Sequence, residues 1–139
     1  MSDFKQNIIE VKSNIDKYLI KTPVLRFDLI DSLCNSEVFF KCENFQHTGS
    51  FKYRAALNAI KNIPYDFKKR GVITHSSGNF AHALSRASHE LNIPCYIIMP
   101  SNTTAFKKKS VLKYTNNIIE CEPNLNAREQ TTKTVIKEK

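Results

Sequence analysis

Thr48-Gly49-Ser50-Phe51-Lys52 is followed, one short helix later, by Ser76-Ser77-Gly78-Asn79. The first run closes a turn and opens a helix on a lysine; the second is a hydroxyl-rich loop at the start of the next helix. A helix N-terminus disfavours an ammonium, and a neutral amine is what imine formation with an aldehyde requires. The Ser-Ser-Gly-Asn loop can present hydroxyls and backbone N–H groups where anions bind readily, so it suits a carboxylate. An aldehyde-holding lysine beside a carboxylate-holding loop is the pairing that pyridoxal phosphate chemistry uses.

Each part has an ordinary reading when taken alone. Lysine and arginine together number 21, and most lysines are simply surface residues. Ser, Gly and Asn are also common helix caps. Only the order and context of the two runs raise them above these readings. His75, His82 and His89 are seven apart, which spreads them over about 10 Å of helix, too far for one metal. No metal site is expected from them.

These residues need elements to position them. Ile8, Val11, Ile15 and Tyr18 recur at helical spacing and predict an N-terminal helix over 3–18. Thr22-Pro23 breaks it, Val24 to Phe27 is extended, and Asp28 to Cys34 makes a helical turn or two. Glu37 to Glu43 reads as a strand. Phe51 to Lys61 reads as a helix with Ala55, Ala56, Ala59 and Ile60 on its apolar face. From Gly71 onward, strands (71–74, 94–99, 117–121) alternate with helices (77–91, 104–114, 126 onward). That alternation predicts an α/β fold, a three-layer doubly wound parallel sheet with ligands at the carboxyl ends of its strands. Pro94 to Met99 is nearly all apolar, as burial on both faces demands. Phe80, Ala83, Leu84, Ala87 and Leu91 form a core stripe.

Composition narrows the function classes. A chain of 139 residues has room for about one domain. The net charge of +8 is spread over Lys68-Lys69-Arg70, Lys107-Lys108-Lys109 and the C-terminal lysines, without an arginine-rich or RNP-like pattern, so no specific nucleic-acid partner is expected. Cys34, Cys42, Cys95 and Cys121 show no C-x-x-C spacing; reduced, mostly buried thiols are expected. Neither a signal peptide nor a run of about 18 apolar residues is present, so a cytoplasmic setting with no membrane partner is expected. Of three glycines, Gly49 and Gly78 fall in the two motifs and read as backbone necessities.

Glu43-Asn44-Phe45-Gln46-His47-Thr48-Gly49-Ser50-Phe51-Lys52-Tyr53-Arg54 and Thr74-His75-Ser76-Ser77-Gly78-Asn79 together resemble the serine racemase and serine/threonine dehydratase group of fold-type II (tryptophan synthase beta-like) pyridoxal-phosphate enzymes. The likeness continues through Thr22-Pro23-Val24-Leu25, Ile93 to Ile97 and Cys121-Glu122-Pro123, and covers the N-terminal part of the family's length. The resemblance implies pyridoxal 5'-phosphate as cofactor and serine or threonine as substrate. It also implies a homodimer, with a divalent cation and ATP as effectors in some relatives at sites not identifiable in this chain. Residues 1–43 would be an N-terminal piece of the larger domain and 44–139 the small α/β domain. The remaining larger domain, with its phosphate cup, would lie outside this sequence.

Roles follow for matched positions. Lys52 would hold the aldehyde and remove the α-proton from one face, with Ser77 as the acid/base on the other. Asn79 would bond the cofactor's ring oxygen, Phe51 would pack against the ring, and Ser76, Ser77, Gly78 and Asn79 would hold the substrate carboxylate. Two bases on opposite faces permit racemisation, and loss of a β-hydroxyl gives dehydration. The chain departs from the family at Ala55, where Gly is usual, at Phe80-Ala81, where His-Gly is usual, and at Tyr114 to Asn117. A non-catalytic chain that binds a partner, through an apolar face such as that of Ile8 and Ile15, is the alternative reading.

Overall fold

The computed structural model describes residues 2–139, with side chains from Phe4 onward. Helix α1 (Ser2–Ile15) runs into a 3-10 turn at Asp16–Tyr18. Ile15 alone of its apolar stripe is fully buried; Val11 and Tyr18 are partly covered, and Ile8 is exposed. Strand β1 (Val24–Leu25) pairs antiparallel with β2 (Phe40–Lys41), and α2 (Asp28–Cys34) lies between them, ended by Asn35 in the left-handed conformation. The strand expected over 37–43 is therefore only two residues long. Asp31 explains the difference: its carboxylate accepts from the Val38 N–H at 2.7 Å and pairs with Arg26, holding that backbone away from a ladder.

Helix α3 (Lys52–Lys61) buries Tyr53, Ala56, Leu57 and Ile60, the i, i+3, i+4, i+7 stripe of one helix face. Of the expected face, Ala56 and Ile60 are buried, whereas Ala55 and Ala59 are exposed, because Tyr53 and Leu57 bury more apolar area and decide the rotation. A short helix α4 (Tyr65–Lys68), not anticipated from sequence, follows Pro64 at its N-terminus. Proline there has a fixed φ suited to a helix start.

Strands β3 (Val72–Thr74), β4 (Cys95–Pro100) and β5 (Ile118–Cys121) form a parallel sheet in the order β3-β4-β5. Helices α5 (Asn79–Glu90) and α6 (Ala105–Leu112) make the two crossovers, and α7 (Leu125–Glu138) follows β5. The sheet has two covered faces. Cys95, Ile97 and Met99 belong to the main core with α3 and α5, whereas α7 packs across β3, β4 and β5. Alternation along β4 places Ile98 on the other side, and it too is fully buried. The result is the expected three-layer α/β arrangement. Ala81, Ala83, Ala87, Ser85 and Ser88 are buried on α5, and such small side chains let α3 and the sheet close on it from two sides.

Gly71 supplies the tightest approach in the sheet. Its φ is +96°, and a Cβ there would lie 2.5 Å from the Pro94 carbonyl oxygen, which accepts from the Val72 N–H at 2.8 Å. The cysteines are all free, but only Cys95 is buried; Cys34 is exposed and the other two lie between. The expectation of mostly buried thiols fails because Cys34 sits at the end of α2, whose residues are all at least partly exposed. Among the described residues no helix is long and apolar enough to cross a membrane.

Candidate active site

Both motifs fold as helix entrances. Gln46 starts the first: its buried amide accepts from the Ile20 and His47 N–H groups at 3.1 and 3.0 Å and donates to the Ile20 carbonyl at 2.9 Å. Three side-chain hydrogen bonds from one residue fix where the chain enters the turn. Thr48 and Gly49 then take positive φ values of 64° and 70°. Glycine accepts that conformation freely, but for a β-branched threonine it stores strain of about 1–3 kcal/mol. Ser50 returns to extended backbone, and Lys52 begins α3.

A second clamp lies behind the turn. Arg54 donates twice to Glu43, at 2.8 Å to each carboxylate oxygen, and Thr22 donates to the same carboxylate at 2.6 Å. The Arg54 hydrogen bonds, opposed by burial, hold the Glu43 carboxyl below its usual range. Tyr53, fully buried, donates its hydroxyl to Glu90 on α5, lies edge-on to His47 with ring centroids 5.2 Å apart, and has the Arg86 guanidinium over its ring. Burial first and Glu90 second push the Tyr53 hydroxyl well above its ordinary value. Through these contacts the lysine turn is fastened to α5, the helix that carries the second motif.

Lys52 is half-buried, with its Nζ 4.7 Å from the centre of the Phe51 ring and no carboxylate paired with it among the described residues. Phe51 is exposed. Ser76 and Ser77 are half-buried, while Gly78 and Asn79 are exposed. The α5 N-terminus has no side-chain cap: Gly78 occupies the cap position and the Ser76 hydroxyl accepts only from the Gly78 N–H, at 3.3 Å. The first-turn N–H groups of α5 are left for another acceptor. Gly78 has an ordinary extended backbone, and a Cβ added there would meet nothing within 4 Å. The backbone thus gives no reason for glycine at 78, unlike 49; open space over the loop is what its small size provides.

The site holds polar atoms that sequence reasoning did not single out. Thr48 Oγ1, Ser50 Oγ and His75 Nδ1 are buried without a hydrogen-bond partner. Thr48 and Ser50 flank Gly49 in the first motif, and His75 immediately precedes the second. Unsatisfied buried groups at both helix entrances fit a polar ligand. Lys52 and the Ser76–Asn79 loop share no hydrogen bond; what joins them is the packing of α3 on α5. His82 and His89 lie against the Tyr114 ring, at 5.8 and 5.9 Å between centroids. Among the described residues no three His, Cys, Asp or Glu side chains gather as metal ligands.

The sheet is parallel, Lys52 opens one helix, and the helix packed beside it begins at an uncapped, hydroxyl-lined loop. Residues 15–139 match the model of the pyridoxal-phosphate dependent enzyme family, and the chain belongs to that family. It is 41% identical over 133 residues to the serine racemase of Dictyostelium discoideum, covering 96% of this chain and 41% of that protein. The crystal structure of that racemase superimposes with a TM-score of 0.90, over 96% of this chain and 43% of the other. A beta-hydroxyaspartate dehydratase of Paracoccus denitrificans is 39% identical over 126 residues, covering 91% of this chain and 40% of that protein. The crystal structure of a threonine deaminase from T.th. superimposes with a TM-score of 0.83 at 27% identity, over 96% of this chain and 42% of the other. The chain thus spans about two fifths of the length of the relatives it matches.

Proposed function

We propose that this chain carries the cofactor lysine and the substrate loop of a pyridoxal-phosphate enzyme that racemises serine or eliminates water from serine or threonine. The observation that carries this reading is the unpaired Lys52 amine on α3, packed against the helix whose uncapped entrance is Ser76-Ser77-Gly78-Asn79. The likeness to racemases and a dehydratase supports it over a non-catalytic role.

When bound, pyridoxal phosphate supplies an electron sink for charge developing at the amino acid's α-carbon. Lys52 offers the only amine in the first motif, and Phe51 offers an exposed ring beside it. Asn79, exposed at the head of α5, would offer its amide to the cofactor's ring oxygen. Ser76 and the free N–H groups at the head of α5 hold the substrate carboxylate, where the helix dipole adds to the attraction. Lys52 takes the α-proton on one face and the Ser77 hydroxyl serves the other. Return of the proton from the opposite face inverts the centre; departure of the β-hydroxyl with a proton, as water, leaves an enamine, whose imine tautomer is hydrolysed by water to a 2-oxo acid and ammonia. On this reading residues 1–43 belong to a larger domain and 44–139 to a small one. A homodimer and a cytoplasmic setting accompany it, on the likeness alone.

The test is to mix the chain with pyridoxal phosphate, reduce with borohydride and map the modified lysines by mass spectrometry. Labelling confined to Lys52, and lost in Lys52→Ala, is expected. Labelling scattered evenly over the lysines overturns the assignment. Ser77→Ala should lower racemisation of L-serine by roughly 100-fold and spare elimination; equal loss of both would remove Ser77 from the opposite face.

A further inference from the structure

Two basic side chains meet one buried ring at the lysine turn. Tyr53, the residue after Lys52, is fully buried, and the His47 ring stands edge-on to it at 5.2 Å between centroids. The Arg86 guanidinium lies over the same ring, 5.8 Å from its centre. It is also 5.7 Å from the centre of the Tyr114 ring, whose hydroxyl accepts from it at 3.3 Å. Arg86 belongs to none of the ion pairs among the described residues. The groups facing His47 are few. α5 brings Arg86 and Glu90, and Glu90 accepts from the Tyr53 hydroxyl. The preceding 3-10 segment brings Glu43, whose oxygens are taken by Arg54 and Thr22. α3 brings Tyr53, with Lys52 placed against the Phe51 ring. His82 and His89 lie against Tyr114 instead. Burial first and Arg86 next hold the His47 value below 6.5, with Glu90 opposing.

We propose that His47 and Arg86 are positioning residues for the turn that carries Lys52: with His47 neutral the turn docks on α5 through Tyr53, and a proton on His47 releases it. Once His47 is charged, two cations crowd one buried ring. The single carboxylate facing them, Glu90, is already engaged by the Tyr53 hydroxyl. Docking holds His47 below its usual 6.5, so proton uptake favours the undocked turn as pH falls below 6.5. The backbone assists the release. Thr48, next to His47, is held at a φ of 64°, a strained conformation that undocking relieves. The other anchor of the turn, the Gln46 amide bonded to Ile20, has no titratable group, so acid loosens the segment that follows it. The inference rests on the functional reading only in taking Lys52 as the reactive amine.

Amide hydrogen exchange of the full chain, from about pH 7.5 down to about 5 where histidine titrates, reads the docking directly. Gly49, whose N–H donates to the Gln46 carbonyl at 2.8 Å, reports the turn; Ile97, bonded to Asn117 in the sheet, reports the scaffold. Protection at Gly49, corrected for the intrinsic rate, should fall several-fold more than at Ile97 as pH drops. His47→Gln should make the two amides respond alike. Arg86→Gln should shrink the difference and Arg86→Lys should restore it, whereas His82→Gln should leave it in place. A Gly49 response no larger than that of Ile97, or an excess that persists in His47→Gln, would overturn the inference. Borohydride trapping with pyridoxal phosphate keeps the two readings apart: labels scattered over the lysines would remove Lys52 as the reactive amine without altering the Gly49 response.

Discussion

Two glycines separate conformation from ligand approach at the level of single residues. At Gly71 a side chain collides with the Pro94 backbone, and the φ of +96° is itself unfavourable for an L-residue. Gly71→Ala should therefore lower stability by about 2–3 kcal/mol, read as a drop in the urea midpoint. At Gly78 the same substitution meets nothing within 4 Å. Gly78→Ala should leave the midpoint within about 0.5 kcal/mol yet weaken borohydride-trapped labelling of Lys52, because the methyl group fills the space over the loop. If Gly78→Ala unfolds the chain as readily as Gly71→Ala, the open space is not where the ligand lies. In the sequence the motif glycine at 78 reads as the backbone necessity; φ and the surrounding atoms give that role to Gly71 instead.

Elements carry the next distinction. α3 and α5 are held together by a fully buried Tyr53 whose hydroxyl is bonded to Glu90. Tyr53→Phe keeps the packing and removes one hydrogen bond, so a loss of about 1 kcal/mol is expected; Tyr53→Ala also leaves a cavity and should cost about 4 kcal/mol. Thermal melts of the two variants check the ratio. The βαβ alternation from Gly71 on was legible because strand and helix periods differ, and Pro94 to Met99 could hardly be anything but a buried strand. The rotation of α3 was not legible: Ala55 and Ala59 are as apolar as Ala56, and only the partner helix decides which stripe turns inward. Nor was the shortness of β2, set by Asp31 seven residues away from Val38. The two motifs were readable as helix entrances, but the strain at Thr48 and the spare groups at Ser50 and His75 are properties of three-dimensional packing.

For the whole molecule, titration sets the pH range in which it is most stable. Burial first, then Arg86, lowers the His47 value below 6.5; burial, Lys113 and Arg86 do the same at His82. Both are held neutral in the fold, so as pH drops below 6.5 the unfolded chain takes up protons first and stability falls. Burial pushes the Cys95 thiol from 9.0 up to about 11, so above pH 9 the unfolded chain ionises first and stability falls again, by up to roughly 2–3 kcal/mol. Urea midpoints should form a plateau between about pH 6.5 and 9, and Cys95→Ala, compared with wild type, should show a shallower decline above pH 9, with Cys121 and Tyr53, both raised, keeping the remainder. Glu43 adds a separate acid limb: with its value held below 4.5 by Arg54, its contribution is present above that pH and is lost as pH falls through the folded value. A Glu43→Gln variant should show a flatter slope there.

Strand order equal to chain order has a consequence in time. β3, β4 and β5 are joined by successive short crossovers, so each strand can add to its predecessor without waiting for distant parts of the chain. The lysine turn is closed at two points: Gln46 reaches back 26 residues to Ile20, and Tyr53 reaches forward 37 to Glu90. Closing longer loops is slower. Pairing β3 with β4 and β4 with β5 closes 23 and 21 residues, close to the 26 of Gln46 and Ile20, so loop length sets apart only the Tyr53–Glu90 fastening, the contact that joins the reactive amine's turn to the helix bearing the second motif.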